Sequence, residues 1–434
     1  MRVIDPSKWC GNVIREGNNT FSAGQIQAEA AELRRRLELF RRGRLALVRP
    51  SAALVTRLLA AIGDDDFGIA LLRSRSRESR ESLASLHIAA VMDEAGDIHE
   101  TGISTRETKQ QEVLMETSGT TGTPKVVIHS VQSLLSGVKP RPATAPPARW
   151  LLTYPVSAFA GLQVLLTALA SGDELITVVN PGAATLAAAA VEYKPTHMSA
   201  TPTFWRSFVA SSGPHASAVP LRQITLGGEI ADQHTLDLLR RSFPEASLTH
   251  IYASTEAGSV FSVKDGKAGF PANWLTSGVG EARLRITEGV LEVNSPRAMV
   301  AKEGEEYRDV LSANASHWIR TGDLVEVRGD RVIFLGREDT LINVGGSKVI
   351  PEEVENVLLG IPGIVQARVY GCPNPITGNL VCADVVVSGA EQGDVRSKLQ
   401  AAFAGNLERY KQPRIIRFLD QIAHSDTGKV SRSS

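Results

Sequence analysis

The 434-residue sequence has no excess charge of either sign, because lysine plus arginine and aspartate plus glutamate both number 47. Proteins that attract nucleic acid or anionic lipid through their electrostatic field carry a basic excess, so neither partner is indicated. Aromatic residues are few, at 5%, but 43% hydrophobic and 22% charged residues are typical of an ordinary globular protein. The length predicts about two to four domains.

Cysteine is scarce as well. Cys10, Cys372 and Cys382 are scattered without the spacing of metal ligands, which predicts a reduced, cytosolic protein. Residues 1–5 lack the apolar core of a signal peptide. The one uncharged stretch long enough to suggest a membrane span, residues 150–172, contains Pro155 and predicts a buried strand, a loop and a buried helix instead. We therefore expect a cytoplasmic protein without a membrane span.

A Walker loop, in which Gly-Lys-Ser/Thr leads into a helix, is also missing. The sequence has instead a run rich in hydroxyl groups and glycine, from Glu116 to Lys125, between the apolar runs 113–115 and 126–128. This pattern predicts a hairpin whose tip binds an anion, because glycine lets successive backbone N–H groups converge and the hydroxyls and lysine add donors. An ordinary polar hairpin tip explains this stretch alone equally well.

Strands and helices alternate over much of the chain, which predicts an α/β fold. Residues 29–44 have a helical pattern, with leucines on one face and arginines, Arg44 among them, on a solvated face. Further along, predicted strands end at Thr201, Gly227 and Tyr252, and small or polar residues follow each end. Because a ligand of an open α/β sheet lies outside the carboxyl ends of the strands, these three places should line one crevice.

Two stretches carry groups that suit a nucleotide. Residues 252–256 put an aromatic ring, two hydroxyls and the Glu256 carboxylate at a strand end, and Mg²⁺ prefers such oxygen ligands. A Thr-Glu pair after a strand is, however, usually a helix cap. Asp323, which follows Thr321-Gly322, has two acceptor oxygens for a ribose diol, and an ordinary turn aspartate is the alternative.

A fresh apolar pattern begins after the charged residues 336–339, which indicates a domain boundary. Beyond it we predict a small α+β unit with helices at 352–359 and 394–407 and strands at 364–370, 381–387 and 414–419. The expected division is a large N-terminal α/β domain, residues 1–336, and a small C-terminal domain, residues 337–434.

The order of these motifs resembles that of the adenylate-forming (AMP-binding) superfamily, which includes acyl- and aryl-CoA synthetases, nonribosomal peptide synthetase adenylation domains and firefly-type luciferases. The resemblance extends from about residue 113 to residue 432. The segments that carry it are 117–125, 227–229, 252–256, 321–323, 336–337, 345–355 and 427–429. It implies an α/β fold with a large N-terminal domain of several subdomains and a small, mobile α+β C-terminal domain.

The resemblance also implies roles for individual residues. The triphosphate loop corresponds to Thr117, Ser118, Gly119, Thr120, Thr121, Gly122 and Lys125. The adenine site corresponds to Gly227, Gly228, Glu229 and the stacking ring of Tyr252, and the ribose site to Asp323 and Arg337. Thr255 would contact the α-phosphate, Glu256 would hold Mg²⁺, and Lys429 would bridge the carboxylate and the α-phosphate. Asp339 matches the hinge between the domains, and Gly345 and Gly346 match a narrow thiol channel.

The implied reaction is activation of a carboxylic acid by ATP, followed by transfer of the acyl group to a thiol. Two acceptors stay open, CoA and the phosphopantetheine arm of an acyl carrier protein. We favour CoA, because free-standing two-domain members are most often CoA ligases. A non-catalytic nucleotide-binding homologue is a third alternative, and intact Lys125, Glu256, Asp323 and Lys429 argue against it.

The loop 154–161 restricts which carboxylic acids could be the substrate, because this loop touches the acyl group in the family. Amino-acid-activating members place an aspartate there, and many CoA ligases place a histidine where this chain has Ala158. The loop has no acidic residue, so we expect an acid without an α-amino group. Phe159, Thr201 and Phe204 suggest an aryl or modest acyl body.

Overall fold

The computed structural model describes residues 4–40, 43–63, 66–104, 108, 110–117, 125–178, 181–212, 218–305, 317–387 and 392–422. The elements up to residue 136 are β1 (Asn12–Glu16), β2 (Asn19–Ser22), α1 (Ala23–Leu37), β3 (Arg44–Val48), α2 (Ala52–Ile62), β4 (Gly68–Leu72), α3 (Arg80–Ser85), β5 (Ile88–Met92), β6 (Ile98–Glu100), β7 (Glu112–Glu116), β8 (Val126–Ser130) and α4 (Val131–Ser136). The elements between residues 149 and 263 are β9 (Arg149–Leu152), α5 (Phe159–Ser171), β10 (Glu174–Thr177), α6 (Ala183–Tyr193), β11 (His197–Ala200), α7 (Pro202–Ser212), β12 (Gln223–Leu226), α8 (Gln233–Ser242), β13 (Ser247–Ser254) and β14 (Gly258–Val263).

A β-rich segment and the C-terminal unit follow. The segment contains β15 (Phe270–Pro271), α9 (Trp274–Ser277), β16 (Arg283–Thr287), β17 (Val290–Asn294), β18 (Ala301–Lys302), β19 (Ile319–Arg328) and β20 (Arg331–Arg337). The C-terminal unit contains β21 (Ile342–Val344), β22 (Ser347–Val349), α10 (Pro351–Leu359), β23 (Ile364–Asn374), β24 (Gly378–Val387), α11 (Gln392–Asn406) and β25 (Ile415–Phe418).

Two large sheets form the N-terminal part. The eight-stranded sheet has the order β14-β13-β12-β11-β9-β10-β1-β2, and its strands from β13 through β1 run parallel. The seven-stranded sheet has the order β18-β8-β7-β4-β3-β5-β6 and is parallel from β7 through β5. The helices α1, α2 and α5 share one hydrophobic core with both sheets. The helices α6, α7 and α8 supply the core on the eight-stranded sheet's other face.

The remaining sheets are smaller. An antiparallel five-stranded sheet, β15-β20-β19-β17-β16, has its own core and ends at the segment 336–339. The C-terminal sheet contains β22, β21, β24 and β23, with β25 beside β24, and packs on α10 and α11 around a separate core. This arrangement confirms the mixed α/β class with a large N-terminal and a smaller C-terminal domain.

Two sequence-based expectations need correction. The predicted helix at 29–44 begins at Ala23, where the Ser22 hydroxyl accepts from Gln25 N at 3.2 Å, and ends at Leu37. Arg44 belongs to β3 and not to a solvated face. Its side chain is buried and its Nε donates to the Glu112 carboxylate at 2.5 Å, because β3 lies inside the seven-stranded sheet.

The cysteines also differ from the expectation. The structure joins Cys372 and Cys382 as a disulfide across β23 and β24, with their Cα atoms 6.1 Å apart, and Cys10 is free and exposed. The antiparallel register brings them together, since Cys382 faces Tyr370, two residues before Cys372.

Among the helices in the described parts of the chain, none has the length and hydropathy needed to cross a membrane.

Candidate active site

Three neighbouring parallel strands bring the expected crevice residues to one edge of the eight-stranded sheet. β11, β12 and β13 pair in register, so their carboxyl ends lie side by side. Gly227 N, just past β12, donates to the Ala200 carbonyl at 3.2 Å, and the Tyr154 hydroxyl donates to the Gly227 carbonyl at 3.2 Å. The loop after β9 therefore joins the same edge.

The beginning of α7 uses two of the predicted site residues as caps. The Thr201 hydroxyl accepts from Phe204 N at 3.1 Å, and the Glu229 carboxylate accepts from Thr203 N at 3.0 Å. A carboxylate at the first turn of a helix satisfies N–H groups that have no partner within the helix. Glu229 thus ties the glycine segment after β12 to the start of α7.

Tyr252, Asp323 and Arg337 form a connected cluster, although they come from β13, β19 and β20. The Tyr252 hydroxyl donates to the Asp323 carboxylate at 2.5 Å, and Arg337 Nη1 donates to the other carboxylate oxygen at 3.3 Å. Burial, and then the neighbouring Asp323 charge, raise the pKa of Tyr252 well above its usual value. Tyr252 therefore stays a neutral donor to a charged acceptor.

The ring of Tyr252 stacks on two phenylalanine rings. The centroids of Phe261 and Phe334 each lie 5.1 Å from the Tyr252 centroid, with interplanar angles of 19° and 20°. Phe261 is the cross-strand neighbour of Tyr252 on β14. The Tyr252 ring thus already has two aromatic neighbours, and adenine stacking at Tyr252 stays a prediction.

Thr255 and Glu256 lie in the tight turn between β13 and β14. The Thr255 carbonyl accepts from His129 Nε2 at 2.6 Å, and the Glu256 carbonyl accepts from Met299 N at 2.9 Å. His129 is fully buried on β8, and burial lowers its pKa to about 4 despite the opposing effect of its bond to Thr255. The ring is therefore neutral near pH 7, with its proton on Nε2, because a carbonyl oxygen can only accept.

Glu256 fits a magnesium ligand. Its side chain is half-buried, and among the described residues it has no ion-pair partner. The same parts of the chain contain no cluster of three or more histidine, cysteine, aspartate or glutamate side chains suited to a metal. Mg²⁺ is commonly held by one or two carboxylates together with substrate phosphates, so a single carboxylate beside a phosphate site is sufficient.

The two strands that flank the predicted phosphate loop are hydrogen-bonded to each other up to the ends of the loop. Thr117 N donates to the Lys125 carbonyl at 2.7 Å, and β7 and β8 pair antiparallel below it. The predicted phosphate-binding residues Ser118, Gly119, Thr120, Thr121 and Gly122 lie outside the described residues.

Sequence reasoning missed Arg73, whose Nη2 donates to the Glu116 carbonyl at 2.9 Å and whose backbone N donates to the Glu116 carboxylate at 3.2 Å. The sequence signal that could have indicated Arg73 is its position directly after the buried strand β4.

Ala158 and Phe159 are buried at the start of α5. The Phe159 ring lies 5.6 Å from the His129 ring, measured between centroids, whereas Phe204 packs on Phe208 at 6.1 Å. Sequence reasoning did not select His129, because a histidine in an apolar strand carries no local signal of its partner on a distant turn.

Gly345 and Gly346 form the turn between β21 and β22 in the C-terminal sheet. Gly345 N donates to the Thr377 carbonyl at 2.8 Å, and both glycines have positive φ, +58° and +87°, which favours glycine at each position.

Arg337 Nε donates to Asp339 at 3.1 Å, in a short turn between β20 and β21. The predicted catalytic residue Lys429 lies outside the described residues.

The Tyr252–Asp323–Arg337 cluster beside the strand ends of a large α/β domain, with a small α+β domain after it, is the arrangement expected of an adenylate-forming protein. Family models support the assignment, since the AMP-binding enzyme model matches residues 60–285 and the AMP-binding enzyme C-terminal domain model matches residues 353–429. The chain belongs to the AMP-binding enzyme family.

Individual relatives are distant. The long-chain-fatty-acid–CoA ligase FadD13 of Mycobacterium tuberculosis is 27% identical over 337 residues, which are 74% of this chain and 66% of that ligase, just under two thirds of its length. The medium/long-chain-fatty-acid–[acyl-carrier-protein] ligase FadD10 of the same species is 25% identical over 83% of this chain and 70% of its own. The solved anthranilate CoA ligase AuaEII, in complex with anthranoyl-AMP, shares the fold with a TM-score of 0.75 at 18% identity, over 96% of this chain and 92% of that chain.

Proposed function

We propose that the protein activates a carboxylic acid with ATP to an acyl adenylate and then transfers the acyl group to a thiol, with CoA as the favoured acceptor. The observation that carries the proposal is the Tyr252–Asp323–Arg337 cluster beside the turn of Thr255 and Glu256. These groups are of the kinds that bind a nucleotide, and they lie beside the carboxyl ends of parallel strands, where ligands of such sheets bind. The family assignment and the CoA-ligase relative FadD13 support the same activity.

In the first step, a carboxylate oxygen of the acid attacks the α-phosphorus of ATP, and the bond to the departing pyrophosphate breaks. Both reactants are anionic, so the site must bring them to about 3 Å and offset their repulsion. In the proposed mechanism Asp323 binds the ribose hydroxyls, and Thr255 donates its hydroxyl to the α-phosphate. Mg²⁺ at Glu256 would stabilise the charge that develops on the phosphate oxygens. No general base is needed, because the attacking carboxylate is already ionised.

In the second step, a thiol attacks the acyl carbonyl and AMP leaves. We infer that residues 337–434 move as a unit between the two steps, about a hinge at Asp339, and that Gly345 and Gly346 then line the thiol channel. Because these glycines have no side chains, they leave room for a pantetheine arm. Lys429 is the residue we assign to the first step, where its ammonium bridges the two anions.

The products test this proposal. Incubation with ATP, Mg²⁺ and a panel of carboxylic acids should release AMP and pyrophosphate in equal amounts and, with CoA present, an acyl-CoA. Nucleotide chromatography with a coupled pyrophosphate assay measures both products. Formation of ADP with an acyl phosphate would overturn the assignment, since that reaction transfers the γ-phosphate and bypasses the α-phosphate.

A carrier protein is the second candidate acceptor, and the match to FadD10 over 83% of this chain is the observation that favours it. The two acceptors can be separated with one preparation of the acyl adenylate. CoA and a phosphopantetheinylated carrier protein are added to parallel samples, and thioester formation is followed by mass spectrometry. An acyl-carrier product with no acyl-CoA would replace CoA by the carrier protein in the proposal.

The acid should lack an α-amino group. The buried loop that contains Ala158 has no carboxylate to pair with an ammonium, and a buried unpaired charge costs about 3–5 kcal/mol. In an ATP–pyrophosphate exchange screen, α-amino acids should therefore exchange at least about 100-fold more slowly than the best benzoate or fatty acid. Exchange that depends on an α-amino acid alone would defeat this prediction.

A matched pair of variants separates the effect of a carboxylate charge in the acyl loop from the effect of side-chain size. Ala158 precedes α5 without a side-chain cap, so either Asp or Asn is a good N-cap there and should be tolerated by the fold. Ala158→Asp should suppress exchange with an uncharged acyl body much more than Ala158→Asn, because the two differ in charge and hardly in size.

A further inference from the structure

His129 is a buried side chain that none of the roles above uses. It lies on β8, four residues beyond Lys125, and it is one of the polar residues with no exposed surface. Its imidazole reaches two different parts of the proposed site, the turn that carries Thr255 and Glu256 and the aromatic side of the acyl loop at Phe159. A neutral histidine in a core needs hydrogen-bond partners for both ring nitrogens, so the groups that it contacts indicate what it holds in place.

Both nitrogens of His129 have a neighbour. Nε2 donates to the Thr255 carbonyl at 2.6 Å, and Nδ1 lies 3.4 Å from the Ser133 hydroxyl. Because Nδ1 carries no proton, it can only accept, and the one proton of the Ser133 hydroxyl can go either to Nδ1 or to the Ser130 carbonyl at 2.8 Å. Ser133 itself is fixed at the beginning of α4, since its backbone N donates to the Ser130 hydroxyl at 3.0 Å. The ring orientation is thus set from the β8–α4 side, and the N–H points at one peptide group of the turn.

That peptide group joins Thr255 to Glu256. Because a peptide unit is planar and rigid, a hydrogen bond that fixes its carbonyl also fixes the direction in which the next residue leaves. The turn has two other contacts, which act on different groups: Glu256 O accepts from Met299 N at 2.9 Å, and Ala257 N donates to the Ser254 hydroxyl at 3.0 Å. Removing the His129 bond would leave the Thr255–Glu256 peptide without its side-chain anchor on β8.

The turn is also tightly enclosed. Gly258 has φ +70°, and a Cβ at this position would come within 2.1 Å of the Arg297 carbonyl oxygen. The turn is therefore packed directly on residues 297–299, and this segment in turn joins β8, because Val300 N donates to the Ile128 carbonyl at 2.7 Å. His129 is the side chain through which β8 contacts the Thr255 carbonyl.

We propose that His129 is a positioning residue for acyl-adenylate formation, which holds the Thr255–Glu256 peptide in the orientation that presents Thr255 to the α-phosphate and Glu256 to Mg²⁺, and which couples this turn to Phe159 of the acyl pocket. The inference rests on the proposed function. It assigns His129 no contact with the reacting atoms, and its effect is exerted through Thr255 and Glu256.

Two substitutions test this role. His129→Leu removes the donor and roughly keeps the volume, and it should lower kcat for ATP–pyrophosphate exchange by about tenfold or more, the effect of one lost buried hydrogen bond. KM for the acid should change much less, and the Mg²⁺ concentration for half-maximal rate should rise. His129→Gln carries an amide N–H at a similar distance from the backbone and should restore most of kcat.

His197→Leu is the matched control. His197 is half-buried, its ring lies 4.8 Å from that of Trp150, and its pKa, like that of His129, is lowered to about 4 chiefly by burial, but it lies at the opposite end of β11 from the strand-end crevice. This variant should keep kcat near the wild-type value even if its stability falls. Urea unfolding of all three variants, followed by circular dichroism, shows that the assays are done on folded protein.

The outcomes separate this inference from the proposed function. If the wild type catalyses exchange and His129→Leu retains its kcat, or if His129→Gln is as impaired as His129→Leu, the positioning role is wrong and the proposed function stands. If the wild type catalyses no exchange with any acid, the proposed function fails and the inference falls with it. A loss of kcat confined to His129→Leu, with rescue by His129→Gln, supports the role.

Discussion

Replacing Glu256 with glutamine should lower the rate of acyl-adenylate formation by about 100-fold, which corresponds to about 3 kcal/mol of activation free energy. The carboxylate is half-buried at the carboxyl end of β13 and has no ion-pair partner in the described parts of the chain. Glutamine keeps the shape and loses the charge, so the expected defect is in Mg²⁺ binding and in stabilising the phosphate charge. ATP–pyrophosphate exchange across a Mg²⁺ titration measures it.

The control is a glutamate at the other end of the same strand. Glu245 is exposed just before β13, and Glu245→Gln should leave both the rate and the Mg²⁺ dependence unchanged, because exposed charges far from the reaction contribute little. An equal loss in both variants would mean that the Glu256 effect is not local. A Glu256→Gln enzyme that keeps its wild-type rate and Mg²⁺ dependence would remove Glu256 from the metal site.

The meeting of three strand ends at one sheet edge could be predicted because the residues concerned are adjacent in sequence to regular elements. Thr201, Gly227 and Tyr252 each lie at or near the end of an apolar strand, and parallel strands put their carboxyl ends on one edge. The antiparallel hairpin around the predicted phosphate loop was also readable, since two apolar runs flank a polar one. Local pattern and topology are sufficient for such sites.

Other features depend on which strands become neighbours, and local patterns do not contain that information. Phe261 and Phe334 cover the Tyr252 ring because β14 and β20 approach it from different sheets. His129 meets Thr255 across 126 residues of sequence, and Arg44 is buried because its strand lies between two others. In each case the side chain type suggested an ordinary core or surface residue, and tertiary register decided its role.

Arg337 connects the proposed ribose site with the proposed hinge. Its guanidinium donates to Asp323 at 3.3 Å and to Asp339 at 3.1 Å. Burial opposes its charge, but these two aspartates outweigh burial and raise the pKa of Arg337. Ribose binding at Asp323 would therefore act directly on the group that holds Asp339. Arg337 is thus the side chain through which the proposed ribose site contacts the proposed hinge.

Asp339→Pro should separate the two half-reactions. Proline fixes φ near −65°, whereas a hinge residue must change its backbone angles when the small domain turns. We expect adenylate formation to stay within about threefold of the wild-type rate and thioester formation to fall by about 100-fold, equivalent to about 3 kcal/mol. Single-turnover assays, with pyrophosphate release for the first step and thioester formation from the isolated adenylate for the second, measure them separately.

Two further variants show what such a split means. Asp339→Ala also removes the carboxylate that pairs with Arg337 but leaves the backbone free, so it should retain thioester formation if rotation is what proline blocks. Lys429→Ala should have the opposite profile to Asp339→Pro, with a large loss of adenylate formation and a small loss of thioester formation, because its ammonium serves the first step alone. If Asp339→Pro and Lys429→Ala slowed both half-reactions equally, a rotation of the small domain between the steps would not be part of this mechanism. If Asp339→Ala matched Asp339→Pro, the ion pair with Arg337, and not the freedom of φ, would be the property that residue 339 contributes.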